Sequence, residues 1–492
     1  MGRTPFERPP GAMLKWLPVV GTRSRRLRHR LESLSSARPL EEEGARRLIA
    51  LLDELVQMRV TPRQRLELLE LARPVVRRMV RSLESHYLNL PLLPPPSGQQ
   101  AAALAHELAE NMIRGYECLV QSLSGAIRAR PGRQIAAIAM QRAISAVGGR
   151  LFLHSLLYTQ AEAGLWARLH RFYAMAEAAD LEGVAVTDTL LPAGVGSVHA
   201  AYMRVLLIAS AQPSQLRQPA LMALYRAASR WAQRVALHPN PPDALFAVQL
   251  DQDAPPRLHL DSHPVPEPHL RFFDPRPLAN TLTEGTSTAL SDVLSRHLRW
   301  VWLGPRRRRY PRQSGGGHFH ICLGLPGVHG QLSGDERKAA CHQVQARDHS
   351  EGGYRLEWQG ETPRELRVGS LAALRDTARD CWRVGEIRWV QSAGQRAHFG
   401  VALLPASVCP VRVADHRGEG APALLLPAPT PVDSDILLLP AQGYRSGEQL
   451  EIQAHSAASP EQPARPVRLG LRVGGSPDVT HYTLREAGET YH

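Results

Sequence analysis

The feature that most constrains this chain is a change of hydrophobic period. From Pro39 to about Asn240 apolar residues recur at helical spacing, as in Leu48, Leu51, Leu52, Leu55 and Val56. From about His318 onward they alternate with period two in short runs separated by Gly-rich turns. One chain must therefore build two kinds of core, and the fold class read from it is α+β. A soft expectation of ~100–200 residues per domain gives two to four domains for 492 residues.

Within the helical half, Thr61-Pro62 reads as an N-cap followed by proline in the first turn. The run Leu92 to Gly98, with three consecutive prolines, breaks the chain. Further helices are expected from Gln99 to about Arg128, Gln134 to Leu157 and Glu162 to Ala178. Two more follow between Ser197 and Val235, separated near Pro213. No repeat is regular enough to name, so the expectation is a helical bundle or short solenoid over residues 38–240. Trp166, Trp231 and the interspersed histidines read as packing residues.

Residues 1–37 carry a basic cluster from Arg23 to Arg30 and read as a flexible tail. Residues 241–300 are Pro-rich with alternating pieces, which predicts a linker with short strands and a helix from Ser287 to about Trp302. Strands are expected at His318–Leu325, Tyr354–Trp358, Leu366–Ala372, Arg383–Val390 and Ala397–Leu404, the pattern of a β-barrel over residues 301–412. Asp335 to Val344 reads as helical. Residues 413–492, with apolar runs Leu424–Leu426 and Ile436–Leu439, read as a small C-terminal β segment.

Lys15 and Lys338 are the only lysines, so the net charge of +13 is almost wholly arginine. Arginine's planar fork suits phosphate and guanine, and the balance suggests an anionic partner without identifying one. Five scattered cysteines without C-x-x-C spacing fit a reducing compartment, and neither a disulfide framework nor a zinc site. No apolar stretch reaches ~18 residues without charge, so no membrane span is expected and the chain reads as cytoplasmic.

Two short motifs stand out. Arg307-Arg308-Arg309-Tyr310-Pro311-Arg312 is an R-R-x-x-x-R run ahead of the first strand. Asp348-His349-Ser350-Glu351-Gly352-Gly353 is a D-x-S-x-x-G leading into the strand at Tyr354. Each is weak singly; their order, with the strands between and after them, is much stronger. Over roughly 110 residues this order resembles the PilZ family, whose members bind cyclic di-GMP, and Val384–Trp389 with His398–Val401 resembles its closing strand pair. The resemblance implies ligand contacts from Arg308 and Arg312 in the first motif and from Asp348, Ser350 and Gly353 in the second. Arg307 precedes the motif, where relatives set whether one ligand or a stacked pair is bound. His349 departs from the apolar residue that many relatives carry, and Pro326–Arg347 is longer than a minimal barrel connection.

The chemistry agrees with that assignment. Guanine offers N7 and O6 as adjacent acceptors for a guanidinium and an N1–H/N2–H₂ edge for a carboxylate. Nothing else carries chemistry as well. His318-x-His320 lacks a third metal ligand nearby, Gly194-Val-Gly196 lacks a dinucleotide fingerprint, and Gly315–Gly317 lacks the Lys-Ser/Thr of a phosphate loop. No acid/base dyad, catalytic motif, cofactor or metal is expected. The leading expectation is a non-enzymatic cyclic di-GMP receptor whose helical half docks a protein partner. Two alternatives stay open: an arginine-rich nucleic-acid-binding protein, and a degenerate PilZ adaptor that binds only protein partners.

Overall fold

The computed structural model describes residues 22–36, 41–123, 130–190, 195–240, 243–259, 267–282, 290–304, 310–335, 340–376, 381–404, 407–414, 420–428, 430, 433–455 and 463–486. Helices α1 (Thr22–Ser36), α2 (Glu41–Gln57), α3 (Pro62–Glu84), α4 (Pro96–Ser122), α5 (Arg130–Leu157) and α6 (Leu165–Glu177) come first. After strands β1 (Val186–Thr187) and β2 (Val195–Gly196) come α7 (Val198–Ser210) and α8 (Gln218–Trp231). Thr61 begins α3 as a capping box: its hydroxyl accepts from Gln64 N at 3.3 Å and the Gln64 side chain accepts from Thr61 N at 3.2 Å. The expected flexible tail is helical over α1, because Leu27 and Leu31 have a core to enter.

A buried ionic network ties α3, α5 and β1 together. Arg142 contacts Glu70 at 2.9 Å and Asp188 at 3.0 Å, and Arg73 adds a second cation on Asp188 at 2.8 Å. Burial alone would raise the Asp188 carboxyl, but the two guanidiniums hold it below the usual range.

The expected linker packs into this helical core. Strands β3 (Phe246–Gln249), β4 (Arg257–Leu258) and β5 (Leu270–Phe273) form a three-stranded sheet, followed by α9 (Arg276–Asn280) and α10 (Asp292–Trp302). Phe246, Phe273 and Trp302 join the helical core, with Trp302 edge-on to Trp231 and its Nε1 donating to Ser210 Oγ at 3.1 Å.

The first barrel comprises β7 (His318–Leu323), β8 (Cys341–Ser350), β9 (Gly353–Gln359), β10 (Leu371–Asp376), β11 (Arg383–Ala393) and β12 (Arg396–Leu403). They pair in the order β8-β7-β10-β11-β12-β9, and a β8–β9 pairing closes the ring. The short β6 (Gln313–Ser314) adds to β8, and α11 (Gly324–Ser333) follows β7. Phe319, Ile321, Leu356, Leu374, Ile387 and Phe399 fill the interior. Two expectations need correction here. Residues 341–350 are strand rather than part of a helix, and the helix lies earlier, at 324–333; β10 starts at Leu371, not at Leu366. Register explains the first: β8 faces β7 from Cys322↔Cys341 to His318↔Gln345 and turns only Val344 and Ala346 into the core. The same register joins Cys322 and Cys341 in a disulfide, their Cα atoms 4.7 Å apart. Cysteines 19 residues apart in sequence gave no sign of it.

The C-terminal segment is a second closed barrel: β13 (Cys409–Ala414), β14 (Gly420–Leu426), β15 (Ile436–Pro440), β16 (Gln449–Ala454), β17 (Arg465–Gly475) and β18 (Val479–Glu486). Val413, Leu437, Leu439 and Leu469 point inward, whereas Leu424, Leu426 and Leu438 meet the outward residues Cys322, Leu371 and Ala373 of the first barrel. Between them α11 inserts Leu325 and Val328. Leu371 to Leu374 are thus buried on both faces, which is why they read as a continuous apolar run. The helical region docks as well: Leu92 enters the first barrel's core, and Leu93 N donates to Thr362 Oγ1 at 2.9 Å. Among the described residues no helix is long and apolar enough to cross a membrane.

Candidate functional site

The β8–β9 hairpin carries the D-x-S-x-x-G run. Asp348 and Ser350 lie at the end of β8, Glu351 and Gly352 form the turn, and Gly353 opens β9. Gly353 faces Ala402 of β12, and a Cβ there would lie 2.2 Å from the Val401 carbonyl oxygen, so only glycine permits this approach. Ser350 Oγ points back toward the Gly353 carbonyl at 3.5 Å.

The arginine segment reaches the same place from the other side. β6 pairs with β8 through Gln313↔His349 and Ser314↔Asp348, which fixes the preceding residue, Arg312, beside the hairpin. Arg312 Nη1 donates to Asp348 Oδ1 at 2.6 Å, while Arg355 Nη1 lies 3.9 Å from Oδ2. Asp348 is mostly shielded and Arg312 is half-exposed, so the pair sits at the surface with one side open. The Tyr310 ring lies against Gly352, where a Cβ would stand 3.0 Å from Tyr310 Cδ2. Arg307 and Arg308 lie outside the described residues. Of the six candidates, Arg312, Asp348, Ser350 and Gly353 are brought together at one hairpin.

Several neighbours escaped the sequence reading. Arg355 shares its face with Gly353 and Glu357 by strand alternation. Arg347 donates to the buried Glu357 at 2.8 Å, and Arg396 approaches the same carboxylate at 3.4 Å. Burial would raise the Glu357 carboxyl, but hydrogen bonds from Arg347 and Gln359 together with the Arg347 and Arg396 charges outweigh it and hold the group below the usual range. Arg383 donates to Tyr354 Oη at 2.9 Å and lies over its ring. In an arginine-rich chain only the period-two placement could have singled these residues out. The hairpin therefore presents several guanidiniums with two carboxylates interleaved, a surface able to grip phosphate and read a purine edge. Across the barrel, β11 and β12 pair as the expected closing strands, with Trp389 lying over Gly400, where a Cβ would lie 2.0 Å from Nε1.

A closed barrel in which an arginine segment meets a D-x-S-x-x-G hairpin defines a PilZ-type domain, and this part of the chain matches a PilZ family model. Residues 334–410 match the family model described as the middle PilZ domain of the cyclic-di-GMP receptor FimW. Residues 25–243 match the model of that receptor's N-terminal domain. A curated relative, the cyclic-di-GMP receptor FimW of Pseudomonas aeruginosa, is 25% identical over 84% of this chain and 83% of its own. The match to the PilZ model contains Asp348–Gly353 and begins after Arg312.

Proposed function

We propose that this protein is a cyclic di-GMP receptor without catalytic activity, with the ligand held at the β8–β9 hairpin by Arg307, Arg308, Arg312, Asp348, Ser350 and Gly353. The observation that carries the reading is the Arg312–Asp348 pair, which unites motifs 36 residues apart. The name of the FimW relative, aligned over most of both chains, supports the same ligand. Arg312, held by one carboxylate oxygen, keeps further N–H donors for phosphate or for guanine N7 and O6. Asp348 can accept from guanine N1–H and N2–H₂, and Gly353 admits a flat base close to the backbone. The arginine segment closes over the ligand, which then bridges segment and barrel. The helical region, joined to the barrel through Leu92 and Leu93, passes the change to a protein partner in the cytoplasm.

Competition at ~200 mM salt between cyclic di-GMP, cyclic di-AMP and a mixed-sequence duplex tests the reading, because that salt suppresses nonspecific phosphate binding. Cyclic di-GMP alone should be retained, since adenine sets an N6 donor where guanine has the O6 acceptor. A duplex that wins, or equal binding of the two cyclic dinucleotides, makes the segment a phosphate-binding patch instead.

A further inference from the structure

We propose that His106, His154 and Glu162 form a binding site for a divalent transition-metal ion, zinc by its donor set, beside the contact between the helical region and the first barrel. His106 stands in α4, His154 in the last turn of α5, and Glu162 in the connection to α6. One donor atom from each lies within 4.8 Å of the others. The two imidazole centroids are 4.4 Å apart, and His154 Nε2 is 2.8 Å from Glu162 Oε2. Two ring nitrogens and a carboxylate oxygen are the set with which zinc keeps a fourth position for water. Zinc bonds of about 2.0–2.2 Å set tetrahedral donors roughly 3.3 Å apart, so small side-chain rotations gather these three around an ion.

The surroundings suit that role. His154 Nδ1 lies 2.7 Å from Thr159 Oγ1, an outer contact that orients the ring and turns Nε2 toward the cluster. Glu162 Oε1 accepts from Arg150 Nη2 at 2.8 Å, which leaves Oε2 facing His154. Arg150 brings positive charge nearby, but Glu110 also contacts it and offsets that charge. His106 Nδ1 is buried with no hydrogen-bond partner among the described residues, a costly condition that a bound ion or its water would relieve. Cavities of about 560 Å³, lined partly by His106 and Thr159, and 510 Å³, lined partly by His154 and Glu162, border the cluster. They leave room for a fourth ligand.

The site also has a mechanical connection. Thr159 bridges to Ser392 of β11, and Ser392 N donates to Tyr158 O at 2.7 Å. An ion fixing His154 and Glu162 stiffens the loop that touches the barrel. The test uses tag-free full-length protein stripped with chelator, titrated with Zn²⁺ by calorimetry and with Co²⁺ by visible absorption. One ion per chain is expected, with the d–d bands of four-coordinate cobalt. His106→Ala and the near-isosteric Glu162→Gln should each weaken Zn²⁺ by about a hundredfold or more, and Thr159→Val by about tenfold. His455→Ala, remote from the cluster, should keep wild-type affinity. Hydrogen exchange at residues 158–162 and 390–393 should slow with zinc. Absence of stoichiometric binding, or wild-type affinity in both His106→Ala and a folded Glu162→Gln, overturns the proposal.

Discussion

Arg217, at the start of α8, forks onto both carboxylate oxygens of Asp478 in the turn between β17 and β18, with Nη1–Oδ1 at 2.9 Å. Its Nε also donates to the Val368 carbonyl at 2.6 Å, and Arg367 and Ser370 of the first barrel converge on the same Asp478. One carboxylate thus joins the helical region and both barrels.

Asp478→Asn should loosen that junction at a cost of about 1.5–3 kcal/mol, the scale of a charge-assisted hydrogen bond. Urea unfolding checks the magnitude, and hydrogen exchange should show the loss near residues 367–370. Burial would raise the Asp478 carboxyl, but Arg217 and Arg367 bring it below its ordinary value. Its contribution is therefore present above the unfolded carboxylate value of about 4 and is lost as pH falls through the lower folded value. The variant should lack this part of the wild type's acid sensitivity.

The helical region should be a stable fragment only when it extends to about residue 304. A piece ending at 240 loses Phe246, Phe273, Leu298 and Trp302 from its core. Removing several buried aromatics at about 3–5 kcal/mol each exceeds what most domains can tolerate. Circular dichroism melts of 22–304 and 38–240 should show a cooperative transition for the first and none for the second. Equal melts would remove the 246–302 segment from the structural unit.

How much of this was legible varies with the element. Helices α3 to α5 follow from apolar spacing and from Thr61, because their cores are built largely by neighbours in sequence. The strands around Phe319, Leu356, Ile387 and Phe399 follow from alternation. By contrast, α11 contains three glycines before its end cap and a proline, and it is helical because Leu325, Val328 and His329 are buried between two barrels. β8 is mainly polar, and its strand state comes from partners on both edges. The second barrel escaped a full description because its inward residues, such as Val411, Ala423 and Ile452, are spread over short Gly- and Pro-bearing runs. At the site, the two motifs were visible as residue types. The placement of Arg355 and Tyr310 needed the hairpin register.

The proposed site makes a prediction about ligand stoichiometry through Arg307. A third guanidinium ahead of the motif can cover a second guanine, so calorimetry should give two ligands per chain in the wild type and one in Arg307→Leu. One ligand per chain in both would assign Arg307 no part in stacking.

The most direct test of the receptor assignment is calorimetric titration of cyclic di-GMP into wild type, Arg308→Ala, Arg312→Ala and Asp348→Ala. The account predicts saturable binding by the wild type. Arg308→Ala should lose the most, about 1.5–3 kcal/mol for a charge-assisted bidentate contact, or roughly ten- to 150-fold in affinity. Arg312→Ala and Asp348→Ala should each weaken binding in the same direction, with unchanged folding by circular dichroism. Unchanged affinity in Arg308→Ala and Asp348→Ala would contradict the site.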